Sequence, residues 1–141
     1  MSARAELKNV LIAALEAAFP DVAIVPWSGE EAIFNAARQF PSLSVAYAGT
    51  EFGEHQETGE DAPATYARDH VFHLFISTQN AGAAAGDDHA MEIMEKAEQD
   101  VSGRKIADRG IAELVGEELV NVHLGRFLYV QTWKINLLES H

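Results

Sequence analysis

The chain has 141 residues, of which 48% are hydrophobic and 23% are charged. These proportions are typical of a single globular domain, and they exclude a disordered, collagen-like or low-complexity chain. Cysteine is absent, which excludes disulfides, thiolate nucleophiles and zinc–thiolate sites. The 22 acidic and 10 basic residues give a formal charge of −12. Such a field repels nucleic acids and anionic membranes.

The N-terminal region does not resemble a secretory signal. Its apolar run, Val10 to Leu15, ends at Glu16, before it reaches the length of a signal core. Elsewhere no apolar run approaches the about 18 residues that a membrane-spanning helix needs. We therefore expect synthesis in the cytosol and no membrane segment.

The first part of the chain predicts a helix and then an edge strand. Apolar residues recur at helical spacing from Leu7 to Ala18, after a capping residue at Ser2 and before Pro20. The segment Val22 to Trp27 is short and rich in β-branched residues. Pro20 lies before it and Pro26 near its end. Proline in a strand is confined to edges, so we expect this strand at the border of a sheet.

A short helix and two strands are predicted next. Ser28 and Glu31 have capping-box spacing before an apolar stretch that ends at Phe40. From Ser42 to Gly49, larger and smaller residues alternate with the period of a strand. The segment Arg68 to Thr78 is apolar on both faces, which is typical of a central strand.

Between these two strands lies a strongly acidic connection. No lysine or arginine occurs between Arg38 and Arg68. The sequence therefore predicts a long acidic loop over residues 50–66, which contains Glu51, Glu54, Glu57, Glu60 and Asp61. One interpretation is a solvated, mobile loop; the other is a surface that faces a like-charged polymer or a basic partner. The spacing of a calcium-binding loop, with its central glycine, is not present.

The second half predicts a helix and a hairpin. Asp87 or Asp88 is predicted to cap the helix and Ser102-Gly103 to end it, with Met91 and Met94 on its inward stripe. Two final strands, Ala112 to Leu124 and Phe127 to Leu138, flank a Gly125-Arg126 turn. On the last strand, Tyr129 and Trp133 are either core residues or a possible subunit contact.

This order of elements predicts one α+β domain over residues 1–141. We expect an antiparallel or mixed sheet of about four to five strands, with two main helices packed on one face.

The residues best suited to chemistry do not form a convincing site. Asp69, His70 and His73 are close in sequence, but an odd offset in a strand places the two imidazoles on opposite faces. Phosphate-loop and serine-nucleophile motifs are also missing. We therefore predict no catalytic, cofactor-binding or metal-binding residues. The alternative is a small-ligand-binding or enzymatic α+β domain that uses these three residues near a pocket.

Several short motifs, in order, resemble the tail-terminator family of Mu-like contractile-tailed phages and prophages. The first is Arg38-Gln39-Phe40-Pro41, followed by Leu43, Val45, Tyr47 and Gly49. The second is Gly116-Glu117-Glu118-Leu119-Val120, followed by Phe127, Tyr129 and Gln131. The order of elements is similar to that of the family from about Ala5 to Glu139.

The resemblance implies a structural subunit without catalysis. Such subunits form a ring, expected to be a hexamer, that ends the tail tube and joins it to the neck of the capsid. The implied partners are other copies of the chain, the tail tube and neck proteins, without specific nucleic-acid binding or membrane contact. The implied location is the virion tail, assembled in the cytoplasm of a bacterial host. Another neck or baseplate protein with the same fold is a further alternative.

Charge places a constraint on such a ring. Six copies at −12 each would carry −72, which must lie on the lumen or the outer rim. We therefore expect the acidic residues from Glu51 to Asp61 to avoid the subunit contact. The family resemblance suggests more basic residues in this loop, and this chain has only acidic ones there.

Overall fold

The computed structural model describes residues 2–30, 40–56, 65–107 and 110–140. Within these ranges the helices are α1 (Ala3–Ala18) and α2 (Gly86–Val101). The strands are β1 (Ala23–Ile24), β2 (Ser42–Gln56), β3 (Thr65–Gln79), β4 (Lys105–Ala107), β5 (Gly110–His123) and β6 (Arg126–Ser140).

The strands form one curled, mixed sheet in the order β1-β2-β3-β6-β5-β4. Strand β1 runs parallel to β2, and every other neighbouring pair is antiparallel. The predicted α+β class is confirmed, and β3 is central as expected. The predicted number of strands is too low, because the described residues form six in this sheet. The missed strand β4 has three residues, too few to display a period.

Both helices pack on one face of the sheet. Helix α1 is capped as predicted, since the Ser2 hydroxyl accepts a hydrogen bond from the Ala5 N–H at 3.1 Å. Its buried stripe is Leu7, Leu11 and Leu15. Along this stripe the helix meets β2 and β4 of the sheet and the neighbouring helix α2.

Helix α2 begins earlier than predicted, because its N-cap is Ala85 and the predicted caps, Asp87 and Asp88, lie in its first turn. The Asn80 side chain accepts a hydrogen bond from the Gly86 N–H at 2.8 Å, in the place of a capping aspartate. The buried stripe includes Met94, as expected. Met91 is 45% exposed, so the prediction that it faces the core is wrong. Each residue turns a helix by about 100°, and the stripe through Ala90 and Met94 leaves Met91 at its side.

The core lies between the helices and the inner face of the sheet. Fully buried side chains on the three central strands include Leu43, Phe72, Leu74, Ile76, Trp133 and Ile135. The opposite face is covered at one end, where Trp27 stacks on Phe75 with ring centroids 3.7 Å apart. Leu128 and Val130 of β6 are also buried there.

The acidic connection is shorter than predicted. Strand β2 continues to Gln56 and β3 already begins at Thr65, so Glu51 and Glu54 lie in a strand. The backbone of β2 stays paired with β3 through two irregularities in register. This pairing makes the segment a strand despite its acidic composition. Glu57, Glu60 and Asp61 lie outside the described residues, as does most of the helix predicted between Ser28 and Phe40.

Candidate functional site

A chain of polar side chains links α1 to the sheet. The Arg4 Nε donates a hydrogen bond to the Tyr47 hydroxyl at 3.0 Å, and that hydroxyl is hydrogen-bonded to Thr50 Oγ1. Thr50 Oγ1 in turn lies 3.1 Å from Nδ1 of the buried His70. A register shift between Tyr47 and Gly49 brings Tyr47 and Thr50 to the same face, although they are three residues apart.

The neighbours of Tyr47 make its phenol more acidic than usual. Desolvation alone would raise the pKa of Tyr47, but the hydrogen bond with Thr50 and the hydrogen bond and charge of Arg4 outweigh it. The pKa of Tyr47 is therefore lowered from its ordinary value. Sequence analysis missed this group, because its members come from three elements. The glycine at position 49, within a predicted strand, is the local sequence signal of an irregularity. In the structure its φ is 147°.

The structure does not bring Asp69, His70 and His73 together. His70 is 1% exposed on the helix-covered face, opposite Ile135. His73 lies on the other face, with its ring edge-on to Phe75 at 5.8 Å. The carboxylate of Asp69 accepts a hydrogen bond from Asn136 at 2.6 Å. In the part of the chain that the structure describes, no three acidic or histidine side chains are grouped to hold a metal ion.

Glu51 takes part in a charged cluster on the face that the helices leave free. Its carboxylate accepts a hydrogen bond from Lys134 Nζ at 2.6 Å. This hydrogen bond, with the charges of Glu51, Asp69 and Glu113, raises the pKa of Lys134 against a smaller opposing effect of desolvation. One of the predicted lumen or rim residues is thus paired within its own subunit.

Trp133 is a core residue and has no surface for a subunit contact. It is fully buried, and its Nε1 donates a hydrogen bond to Gln131 Oε1 at 3.2 Å. The amide nitrogen of Gln131 donates to the Met94 carbonyl and to the Glu117 carboxylate, at 3.1 and 2.8 Å. This network joins α2, β5 and β6. Trp133 lies deep because β6 is covered by α2, which the sequence of the strand alone does not reveal.

Tyr129 lies closer to the surface than Trp133. It is partly buried and packs against the core. Burial, with a further contribution from the charge of Asp87, raises the pKa of Tyr129. Its role in a subunit contact stays a prediction.

The distal half of β5 carries an exposed row of apolar side chains. We call Leu119, Val120 and Val122 of β5, together with Leu124 of the turn that follows, the β5 apolar edge; its members are exposed, and Leu124 reaches 88%. Strand β4 pairs with β5 at Gly110 and Ile111, backbone hydrogen bonds join Ala112 to Gly103 and Arg104, and the Leu114 N–H donates to the Ser102 hydroxyl. Beyond Leu114, no strand among the described residues pairs with the outer side of β5. The Asn121 side chain donates a hydrogen bond to the Glu30 carboxylate in this part of the strand. The sequence predicted the strand but not its exposure.

An open cleft lies at the opposite end of the sheet, between α1 and β2. This α1–β2 cleft has a volume of about 450 Å³, and its walls include Lys8, Asn9, Ile12, Ile24, Trp27 and Tyr47. Strand β1 pairs with β2 at Ser42 and Leu43, and the Val25 N–H donates a further hydrogen bond to the Leu43 carbonyl at 2.8 Å. In the described ranges, β2 therefore has no strand beside it along the cleft.

Comparison with protein-family models finds no match for this chain, and comparison with curated proteins finds no significant relative. Among the described helices, none is long and apolar enough to cross a membrane. The described sheet leaves two surfaces open, the β5 apolar edge and the α1–β2 cleft.

Proposed function

We propose that this chain is a structural subunit that assembles into the ring ending a contractile phage tail, as its resemblance to tail terminators implies. The observation that carries the proposal is the β5 apolar edge on a strand with an open outer side. Exposed apolar strands of this kind attract another chain unless something covers them. Contact with a further subunit would provide that cover.

The arrangement of the sheet supports a ring. A closed ring of identical subunits requires two different surfaces on each copy, one for each neighbour. In the order of strands, the β5 apolar edge and the α1–β2 cleft lie towards opposite ends of the curled sheet, and the Asn121–Glu30 hydrogen bond links β5 to the segment that follows the cleft wall. A subunit with two such different surfaces can contact one neighbour through each.

The described charges are compatible with such contacts. Glu51 is neutralised by Lys134 within the subunit, so it needs no partner from another copy. On the proposed ring, the remaining acidic excess would lie on the lumen or rim. An acidic lumen would let DNA pass without binding.

The proposal is tested by the mass of the full chain in solution, measured by analytical ultracentrifugation alone and with purified contractile-tail tubes. We expect a hexamer, either free or bound to the end of the tube. Leu119→Arg should abolish assembly, because it places a charge in the contact. Met91→Arg changes an apolar residue of similar exposure on α2 and should leave assembly intact. A chain that stays monomeric and unbound under both conditions would contradict the proposal.

A further inference from the structure

We propose that the subunits join head to tail, with the β5 apolar edge of one copy in the α1–β2 cleft of the next. This inference rests on the proposed function, because it specifies how the same ring is closed. The occupant of the cleft is a second copy of this chain.

The position of the two surfaces favours this contact. Strand β2 lies next to one end of the six-stranded sheet and β5 next to the other. A contact between such different surfaces is heterologous, and its repetition gives a closed ring or an open filament. Each copy then uses both of its open sides.

The chemistry of the two surfaces is complementary. Ile12, Ile24 and Trp27 give the cleft apolar walls, which match the exposed leucines and valines of β5. Lys8 lies at the cleft, and Arg4 is hydrogen-bonded to Tyr47 in its wall.

Two carboxylates, Glu117 and Glu118, immediately precede the β5 apolar edge. An acidic edge therefore meets a basic cleft, in a chain that has few basic residues to offer.

The backbone of both surfaces is suited to the same contact. The outer side of β5 beyond Leu114 and the outer side of β2 beyond Leu43 lack strand partners among the described residues. Their N–H and C=O groups can pair across the contact, as in other cases of strand addition.

The competing arrangement pairs two β5 edges with each other. A two-fold contact centred on the apolar residues would leave Glu117 and Glu118 outside it and would make no use of Lys8 at the cleft. The head-to-tail contact brings these opposite charges together, so we favour it.

The absence of cysteine in the chain allows a clean cross-linking test. Two single variants, Asn9→Cys in the cleft and Leu119→Cys on the edge, are assembled separately and as a mixture, then oxidised. We expect a disulfide-linked dimer in the mixture and none in either variant alone. Mixing Asn9→Cys with Met91→Cys is the matched control and should give no cross-link.

A charge exchange gives a second measurement. Lys8→Glu alone or Glu117→Lys alone places like charges at every contact of a ring, so each variant should lose assembly. An equal mixture restores opposite charges at every contact of an alternating ring, so the hexamer mass should return. Glu117 also accepts a hydrogen bond from Gln131, so circular dichroism must show that Glu117→Lys is folded. Glu117→Gln retains an acceptor there.

The outcomes separate the two proposals. If the unmodified chain forms rings but the mixed cysteine variants do not cross-link, the head-to-tail contact is overturned and the proposed function stands. If Leu119→Cys cross-links to itself, the symmetric contact replaces it. If the unmodified chain forms no ring, with or without tubes, both proposals fall.

Discussion

The middle of the sheet and the distal half of β5 differ sharply, although both are regular paired strands. On β3, Phe72, Leu74 and Ile76 are fully buried beneath the helices. On β5, every residue from Glu117 to His123 is exposed, although the strand stays paired with β6 through a shift in register between Leu119 and Asn121. Backbone pairing thus extends beyond the reach of the core. Hydrogen bonds define the strand, and helix packing decides which part of it is buried.

The largest expected effect is the difference in unfolding free energy between a leucine-to-alanine substitution on β3 and the same substitution on β5. Leu74→Ala removes a side chain that is 0% exposed, and it should lower the free energy of unfolding by about 2–5 kcal/mol. Leu119→Ala removes a side chain that is 48% exposed, and it should change this free energy by less than about 0.5 kcal/mol. Urea unfolding at a concentration where the chain is monomeric measures both. Equal losses would show that the distal hairpin is part of the folding core.

Two glycines give the next test. A Cβ on Gly86 would lie 2.7 Å from the Gln79 carbonyl carbon and 2.9 Å from Phe127 Cδ2. Gly86→Ala should therefore cost about 1–3 kcal/mol. A Cβ on Gly116 of β5 would meet Thr132 at 3.9 Å, an ordinary contact, so Gly116→Ala is the control and should cost far less. Thermal unfolding of both variants checks the difference, and an equal loss of stability would refute it.

A smaller effect is expected from the charged pair on the free face of the sheet. Lys134→Gln removes the ion pair with Glu51 and should lower the melting temperature by no more than about 3 °C at neutral pH. The pKa of Lys134 is raised in the folded state, so its contribution is present below the ordinary lysine pKa. It is lost as the pH rises through the raised value. A difference between wild type and variant that persists at the highest pH would contradict this assignment.

The smallest effect on stability is expected from substitutions of the tyrosines, so their ionisation is measured instead. Absorbance at 295 nm detects the ionised phenol directly. Tyr47 should ionise below the ordinary tyrosine pKa and Tyr129 above it. Tyr47→Phe should remove the early transition and Tyr129→Phe the late one. Arg4→Gln should shift the early transition towards higher pH, because it removes a hydrogen bond and a positive charge from the phenol. An unchanged early transition in Arg4→Gln would disprove that coupling.

The local elements were predictable because their patterns are strong. The stripe of α1, the cap at Ser2 and the central strand β3 all follow from spacing and composition. The exposure of Met91 and the burial of Trp133 were not predictable from spacing alone. Each depends on what packs beside it, and a one-residue error in phase turns a helical residue from the core to its margin.

The polar groups show the same limit. Strand geometry predicted that His70 and His73 lie on opposite faces of the sheet, and the structure confirms this. The link from Arg4 through Tyr47 and Thr50 to His70 joins residues that are far apart in the chain. No local pattern indicates it.

By itself, the sequence determined the α+β class, the central strand, the helices α1 and α2 and the absence of thiol chemistry, because composition and periodicity act over a few neighbouring residues. Only the tertiary structure decided the order of the strands, the pairing of Glu51 with Lys134, the burial of Trp133 and the exposure of the β5 apolar edge. These properties depend on contacts between distant segments, and burial is a property of the assembled layers.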